Sequence, residues 1–225
     1  MCDRIKKKGF IMPNGKSFKI KTKHPDLSLR VTKGHFSTNH SHTNYYIDVT
    51  TQKSRLSEAS AVAKELVSYY NSNTIVDTIL CLDGTEVIGT CLAEELTNGS
   101  FANLNSHQTI YVVKPEYTAG SHMMFRDNIV PMIEGKNVLI LAASVTTGYT
   151  AQSAVEAVTY YDGYIAGICA IFSTADTCAG YSVNAIFNPN KDLEDYESYA
   201  SHDCPLCKAG KKIHALINSY GYSKL

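Results

Sequence analysis

The sequence predicts an α/β fold in which a central parallel sheet is flanked by helices, with an N-terminal cap. Two observations carry this. Helical and strand periods alternate from about residue 55 to residue 175, which brings successive strands parallel and puts helices on the sheet faces. The strand-like runs are short, β-branched and apolar at nearly every position rather than alternating, as strands covered on both faces are.

In chain order, residues 1–24 carry eight basic side chains (Arg4, Lys6, Lys7, Lys8, Lys16, Lys19, Lys21, Lys23) against Asp3. They read as a solvated edge hairpin turning at Asn14-Gly15, with Lys16, Lys19 and Lys21 facing water. Ser57 is placed to cap a helix whose apolar stripe is Ala59, Val62, Ala63, Leu66 and Tyr70. A buried strand is expected over Thr74–Cys81, then a helix through Ile88, Cys91, Leu92 and Leu96, and a strand over Thr109–Val113. Residues 115–130 lack periodicity and are long for a plain connection, which suggests a functional loop. Val138-Leu-Ile-Leu141 is the strongest buried strand. It leads through Thr146-Thr147-Gly148 into a helix with Ala151, Ala154, Val155 and Val158 on one face, and Tyr164–Phe172 follows as another strand. The organisation expected is one domain over 1–225: a cap segment 1–55, a core 56–175 and a C-terminal segment 176–225.

Composition bounds the function. Hydrophobic residues are 44% of 225, enough for a sizeable core. Lys plus Arg and Asp plus Glu both number 21, a balance that argues against a general nucleic-acid binder. No apolar run approaches the ~18 residues of a membrane helix. Seven scattered cysteines read as reduced thiols of a cytoplasmic protein.

Ligands of such sheets sit at the carboxyl ends of the strands, and two loops fall there. One is Leu82-Asp83-Gly84-Thr85-Glu86-Val87-Ile88-Gly89. The other, Ser144-Val145-Thr146-Thr147-Gly148-Tyr149-Thr150, sets hydroxyls and a glycine just before a helix. Successive amides and the helix dipole there suit a phosphate dianion; the same residues also suit an ordinary N-cap. No Gly-Lys-Ser/Thr follows, so this is not the lysine-bearing phosphate loop.

The run Val138-Leu-Ile-Leu-Ala-Ala-Ser-Val-Thr-Thr-Gly-Tyr-Thr150 resembles the phosphoribosyl-pyrophosphate (PRPP) motif of type I phosphoribosyltransferases. Gly34–Asp48 is similar to the N-terminal segment of their orotate branch, as Asp195–Tyr199 and Cys204-Pro-Leu-Cys-Lys-Ala-Gly210 are to its C-terminal end. The resemblance, spanning roughly residues 25 to 210 in one order, implies transfer of a phosphoribosyl group from PRPP to a pyrimidine-like base, with Mg²⁺, in a cytoplasmic homodimer. It implies that Val145–Thr150 hold the 5′-phosphate and that Asp83, Gly84, Thr85, Glu86 and Lys114 meet the pyrophosphate. Residues 115–130 would be a mobile hood. Tyr45 and Tyr46 lie in the segment expected to meet the base, where flat rings stack well, and equally read as part of a strand.

Two departures stand out. The family's acidic pair, which binds the ribose hydroxyls, is replaced by Ala142-Ala143, and the hood carries only His122 and Arg126 as basic groups. Loss of two charge-assisted contacts at ~1.5–3 kcal/mol each corresponds to a rate penalty of about 10² to 10⁴. Two readings stay open: a transferase using other contacts, with Asp83 and Glu86 as oxygen ligands for Mg²⁺, or a catalytically impaired relative that binds PRPP or a nucleotide as a sensor.

Cys204-Pro-Leu-Cys207 has metal-ligand spacing, with His202, His214 and Cys178 nearest in sequence, but no second cysteine pair accompanies it. It reads as a tight turn, and no metal ligand is assigned.

Overall fold

The computed structural model describes residues 17–70, 74–98, 104–106, 108–120 and 122–225. Strands β1 (Ser17–Lys21), β2 (Ser28–Ser37) and β3 (Ser41–Asp48) form an antiparallel meander. The first turn lies at residues 22–27, where the Thr22 hydroxyl accepts from the His24 amide at 3.1 Å; Asn14-Gly15 and Lys16 lie outside the described residues. Lys19 and Lys21 are exposed, as a solvated edge requires. A short helix α1 (Thr50–Ser54), unanticipated in the sequence, abuts α2 (Leu56–Val67). Arg55 ends one and starts the other: its amide bonds the Thr51 carbonyl, and its carbonyl accepts from Glu58 and Ala59. Ser57 therefore lies inside α2 rather than capping it.

The core follows as β4 (Thr78–Cys81), α3 (Glu86–Thr97), β5 (Tyr111–Val113), a small hairpin of β6 (Glu116–Tyr117) and β7 (Met123–Met124), β8 (Asn137–Val145), α4 (Tyr149–Tyr160), β9 (Tyr164–Ser173), β10 (Thr177–Cys178) and β11 (Tyr181–Phe187). The sheet order is β10-β11-β9-β8-β4-β5, parallel throughout except for the β10–β11 edge. Side chains of β8 alternate between two packed layers. Leu139, Leu141 and Ala143 join the layer under α2 and α3, whereas Val138, Ile140 and Ala142 join the layer under α4. With both faces and both edges covered, Val138–Ala143 is buried at every position. Strand β4 starts four residues later than the apolar run suggests. Val76 donates to Asn105 Oδ1 at 2.8 Å, and the Asp77 carboxylate accepts from the Asn137 amide at 2.8 Å beside the backbone bonds of Asp77 to Asn137 and Tyr111.

After α5 (Pro189–Asp192) the chain returns to the N-terminal sheet through β12 (Ser198–Ala200), α6 (Pro205–Lys208), β13 (Ala215–Asn218) and β14 (Gly221–Lys224). The order β12-β3-β2-β13-β14, with β1 on β2, makes the two ends of the chain one sheet. The sequence reading keeps 1–55 and 176–225 as separate segments; the pairing of β13 with β2 at Ala215–Phe36 unites them. No described helix is long and apolar enough to cross a membrane.

Candidate active site

Gly148 takes φ +80°, a left-handed conformation that glycine adopts without steric cost, and an added Cβ would lie 3.3 Å from Cys178 Sγ. This residue turns the end of β8 sharply into α4 and leaves the loop's groups sorted by direction. Its carbonyls face the protein: that of Thr146 accepts from Thr174 Oγ1 at 2.8 Å, and that of Gly148 from the Gln152 amide at 2.8 Å. Among the described residues, no backbone carbonyl accepts from the amides of Thr146, Thr147, Gly148, Tyr149 or Thr150. Five consecutive N–H groups at a helix N-terminus form a positive concavity suited to an anion. Val145, by contrast, is buried in the sheet and contributes backbone only.

The loop opens into a cleft of about 230 Å³ between the two sheets. Thr146, Thr147 and Thr150 form one wall with Ala143 and Asp83. The cap supplies the other through the β2–β3 turn at Thr38–His40 and the β13–β14 turn at Asn218–Ser219. The cap also touches the loop directly, since the His40 ring lies 5.0 Å from that of Tyr149.

The second predicted loop divides by role. Asp83 and Gly84 both have positive φ, 59° and 77°, and Asp83 borders the cleft. Burial pushes its carboxyl above the ordinary range, opposed by a hydrogen bond with Ser219 and by the Lys53 charge. Thr85 is wholly buried, and its hydroxyl donates to the carbonyls of Leu82 (2.8 Å) and Leu141 (3.1 Å); that hydroxyl braces the loop instead of facing a ligand. Glu86 meets Lys114 at 3.6 Å, so two of the expected pyrophosphate contacts stand together at one end of the loop. Sequence reading missed Lys53. Its ammonium, nine-tenths buried, donates to the carbonyls of Asp83 (2.6 Å) and Ser219, and burial lowers its pKa against the pull of Asp83, Glu86 and Asp48. A lone lysine on a short helix without strong periodicity gives no sequence signal for this clamp.

Tyr45 and Tyr46 both border the cleft, but their rings have other partners. Tyr45 donates its hydroxyl to Asp195 Oδ1 at 2.7 Å and lies parallel to Tyr196 at 6.5 Å. Tyr46 packs against Phe36 and Tyr222. In the segment 115–130, Arg126 binds Glu116 through two nitrogens at 2.9 and 2.7 Å across the β6–β7 hairpin.

The cysteine pair is met by neither of the histidines near it in sequence. His202 is exposed beside Asp203, His214 Nδ1 accepts from the His35 amide at 3.1 Å, and Cys178 sits against Gly148. The groups brought to Cys204 and Cys207 are His35 and His42 from the β2–β3 hairpin. Sequence reading, which sought the second pair nearby, had no signal for partners more than 160 residues away.

No protein-family model matches the chain. An orotate phosphoribosyltransferase of Chlorobaculum parvum is 26% identical over 183 residues, covering 81% of this chain and 86% of the relative. Among solved structures, UMP synthase of Leishmania donovani superposes with a TM-score of 0.51 at 18% identity, over 72% of this chain and 34% of that one. This is the type I phosphoribosyltransferase fold. An orotate phosphoribosyltransferase of Mycobacterium tuberculosis superposes at 0.47, with 16% identity, over 65% of this chain and 82% of that one. In the phosphoribosyltransferase fold seen here, the loop 145–150 and the loop 83–86 occupy neighbouring strand ends, of β8 and β4.

Proposed function

We propose that the protein is a phosphoribosyltransferase of the orotate type, displacing pyrophosphate from PRPP with a ring nitrogen of a pyrimidine-like base. The single observation that carries this reading is the row of five amides at 146–150 that have no backbone acceptor among the described residues, in a loop whose Thr146, Thr147 and Thr150 line a cleft. The 5′-phosphate binds there, with hydroxyls of Thr146, Thr147 and Thr150 as further donors. Pyrophosphate lies by Asp83–Glu86 and Lys114. The sugar develops oxocarbenium character as the C–O bond to pyrophosphate breaks and the C–N bond forms, so catalysis is positioning plus neutralisation of the leaving group. The base enters between the phosphate loop and the Thr38–His40 turn.

Asp83 is the carboxylate bordering the cleft. One carboxylate with nearby hydroxyls suits Mg²⁺ carried in largely by phosphate oxygens, since this ion keeps few protein ligands. The residues present fit that role: Asp83 and the hydroxyls would hold the ion, which would supply positive charge against the leaving pyrophosphate. Ala143 borders the cleft where a ribose-binding acid would stand, so sugar binding rests on backbone and threonine donors. The working unit is a homodimer.

The test is direct. Purified protein with PRPP, Mg²⁺ and a panel of pyrimidine and purine bases should release pyrophosphate with at least one pyrimidine. No release with any base, while PRPP still binds, would replace the transferase by a binding protein.

A further inference from the structure

We propose that His35, His42, Cys204 and Cys207 form a structural zinc site that clips the C-terminal turn to the β2–β3 hairpin. The four ligand atoms all lie within 4.8 Å of one another. His35 Nε2 is 3.3 Å from His42 Nδ1, 3.5 Å from Cys204 Sγ and 3.7 Å from Cys207 Sγ, and Cys207 Sγ is 3.3 Å from His42 Nδ1. A tetrahedron with Zn–N near 2.05 Å and Zn–S near 2.3 Å has N···N edges of about 3.3 Å and N···S edges of about 3.6 Å. Four of the six edges lie close to those of that polyhedron, and the other two are within 4.8 Å.

Hydrogen bonding alone does not account for the arrangement. His35 Nδ1 faces the Lys211 carbonyl at 2.9 Å. A carbonyl can only accept, so Nδ1 carries the proton and Nε2 presents a single lone pair. That lone pair meets three neighbours within 3.7 Å. One cation at the centre satisfies all of them, and the Nδ1–H bond to a carbonyl is the outer contact that orients metal-bound histidines. Two thiolates with two imidazoles in tetrahedral array select zinc over harder cations.

The backbone is shaped for the site. The β2–β3 register shifts between Lys33 and Phe36, a bulge that re-aims side chains and contains His35. Gly34 sits where an added Cβ would meet His214 Nδ1 and the Phe36 ring at 2.7 Å. On the other side, the amides of Lys208 and Gly210 close the Cys204-Pro-Leu-Cys207 turn on the carbonyls of Cys204 and Cys207. His35 and Cys204 are 1% exposed and His42 8%, while Cys207 reaches solvent. With four protein ligands the site is closed, hence structural rather than catalytic. The clipped hairpin ends in the Thr38–His40 turn that walls the cleft, so the metal steadies the cap. The inference stands independently of the transferase reading.

The experiment uses the full chain without added histidines, produced with zinc and desalted. Elemental analysis should give about one zinc per chain, falling below about a tenth in the Cys204→Ser/Cys207→Ser variant and unchanged in His202→Gln. Should the double variant not fold, wild-type protein exchanged into Co²⁺ serves: it should show tetrahedral ligand-field bands with thiolate charge transfer. Three results would each overturn the site: metal-free protein with no such spectrum, a Cys204–Cys207 disulfide in its place, or zinc retained by the double variant.

Discussion

The ring of His40, on the turn between β2 and β3, lies 5.0 Å from that of Tyr149, the first residue of α4. The contact joins the cap to the helix whose N-terminus faces the cleft. An aromatic pair of this kind contributes about 0.5–1.5 kcal/mol. His40→Ala should therefore weaken PRPP binding about 2- to 10-fold by calorimetry, with little change in the melting temperature because both rings are near the surface.

In the proposed site, the hydroxyls of Thr147 and Thr85 should separate ligand binding from folding. Thr147→Val removes a donor to a dianion, expected to cost about 1.5–3 kcal/mol of binding, or roughly 10- to 150-fold in Kd, at nearly unchanged stability. Thr85→Val withdraws a buried donor from two carbonyls and should lower stability by about 1 kcal/mol in urea titration. An equal loss of binding in both would refute the division.

Ala142 and Ala143 point to opposite sides of β8. Ala142→Asp places a carboxylate among Leu80, Ile140 and Ala154 and should destabilise by several kcal/mol, seen as insolubility or a much lower melting temperature. Ala143 borders the cleft. Ala143 is itself wholly buried, so Ala143→Asp should also cost stability, but its carboxylate can reach the cleft and should raise the rate of pyrophosphate release by about 10- to 100-fold, as a charge-assisted contact that strengthens in the transition state does. A slower enzyme would count against the proposed sugar position.

Asp195 bonds Lys33 and the Tyr45 hydroxyl, and these hold its carboxyl below the ordinary carboxylate range. A depressed folded-state pKa adds stability above the unfolded value near 3.9 and loses it as pH falls through the folded value. Asp195→Asn should thus be less stable than wild type at pH 7, with the gap closing below about pH 4. Asp195 and Lys33 are both more than half exposed, so the effect is small and shrinks in salt.

The parallel core was legible because its signals are local. Val138–Leu141 is apolar at every position, and the stripe at Ile88, Cys91, Leu92 and Leu96 repeats at helical spacing; both elements form where expected. The turn at 146–148 was legible as a strand-to-helix connection for the same reason, hydroxyls and a glycine lying between the two periods. What escaped depends on distant pairing. Strand β13 docks on β2, Lys53 reaches Asp83 and Ser219, and Cys204 meets His35 across 169 positions. Thr85 looked like a ligand donor because sequence gives its place in the loop but not the two carbonyls behind it.

The sheet that joins the first strands to the last has a consequence for biosynthesis. As the ribosome releases the chain, β4 to β11 can assemble and leave the phosphate loop standing at the rim of a finished sheet. The opposite wall is completed by Asn218 and Ser219 of the β13–β14 turn. A chain that has not yet emerged as far as that turn lacks part of this wall, so the cavity is completed only once β13 has docked on β2.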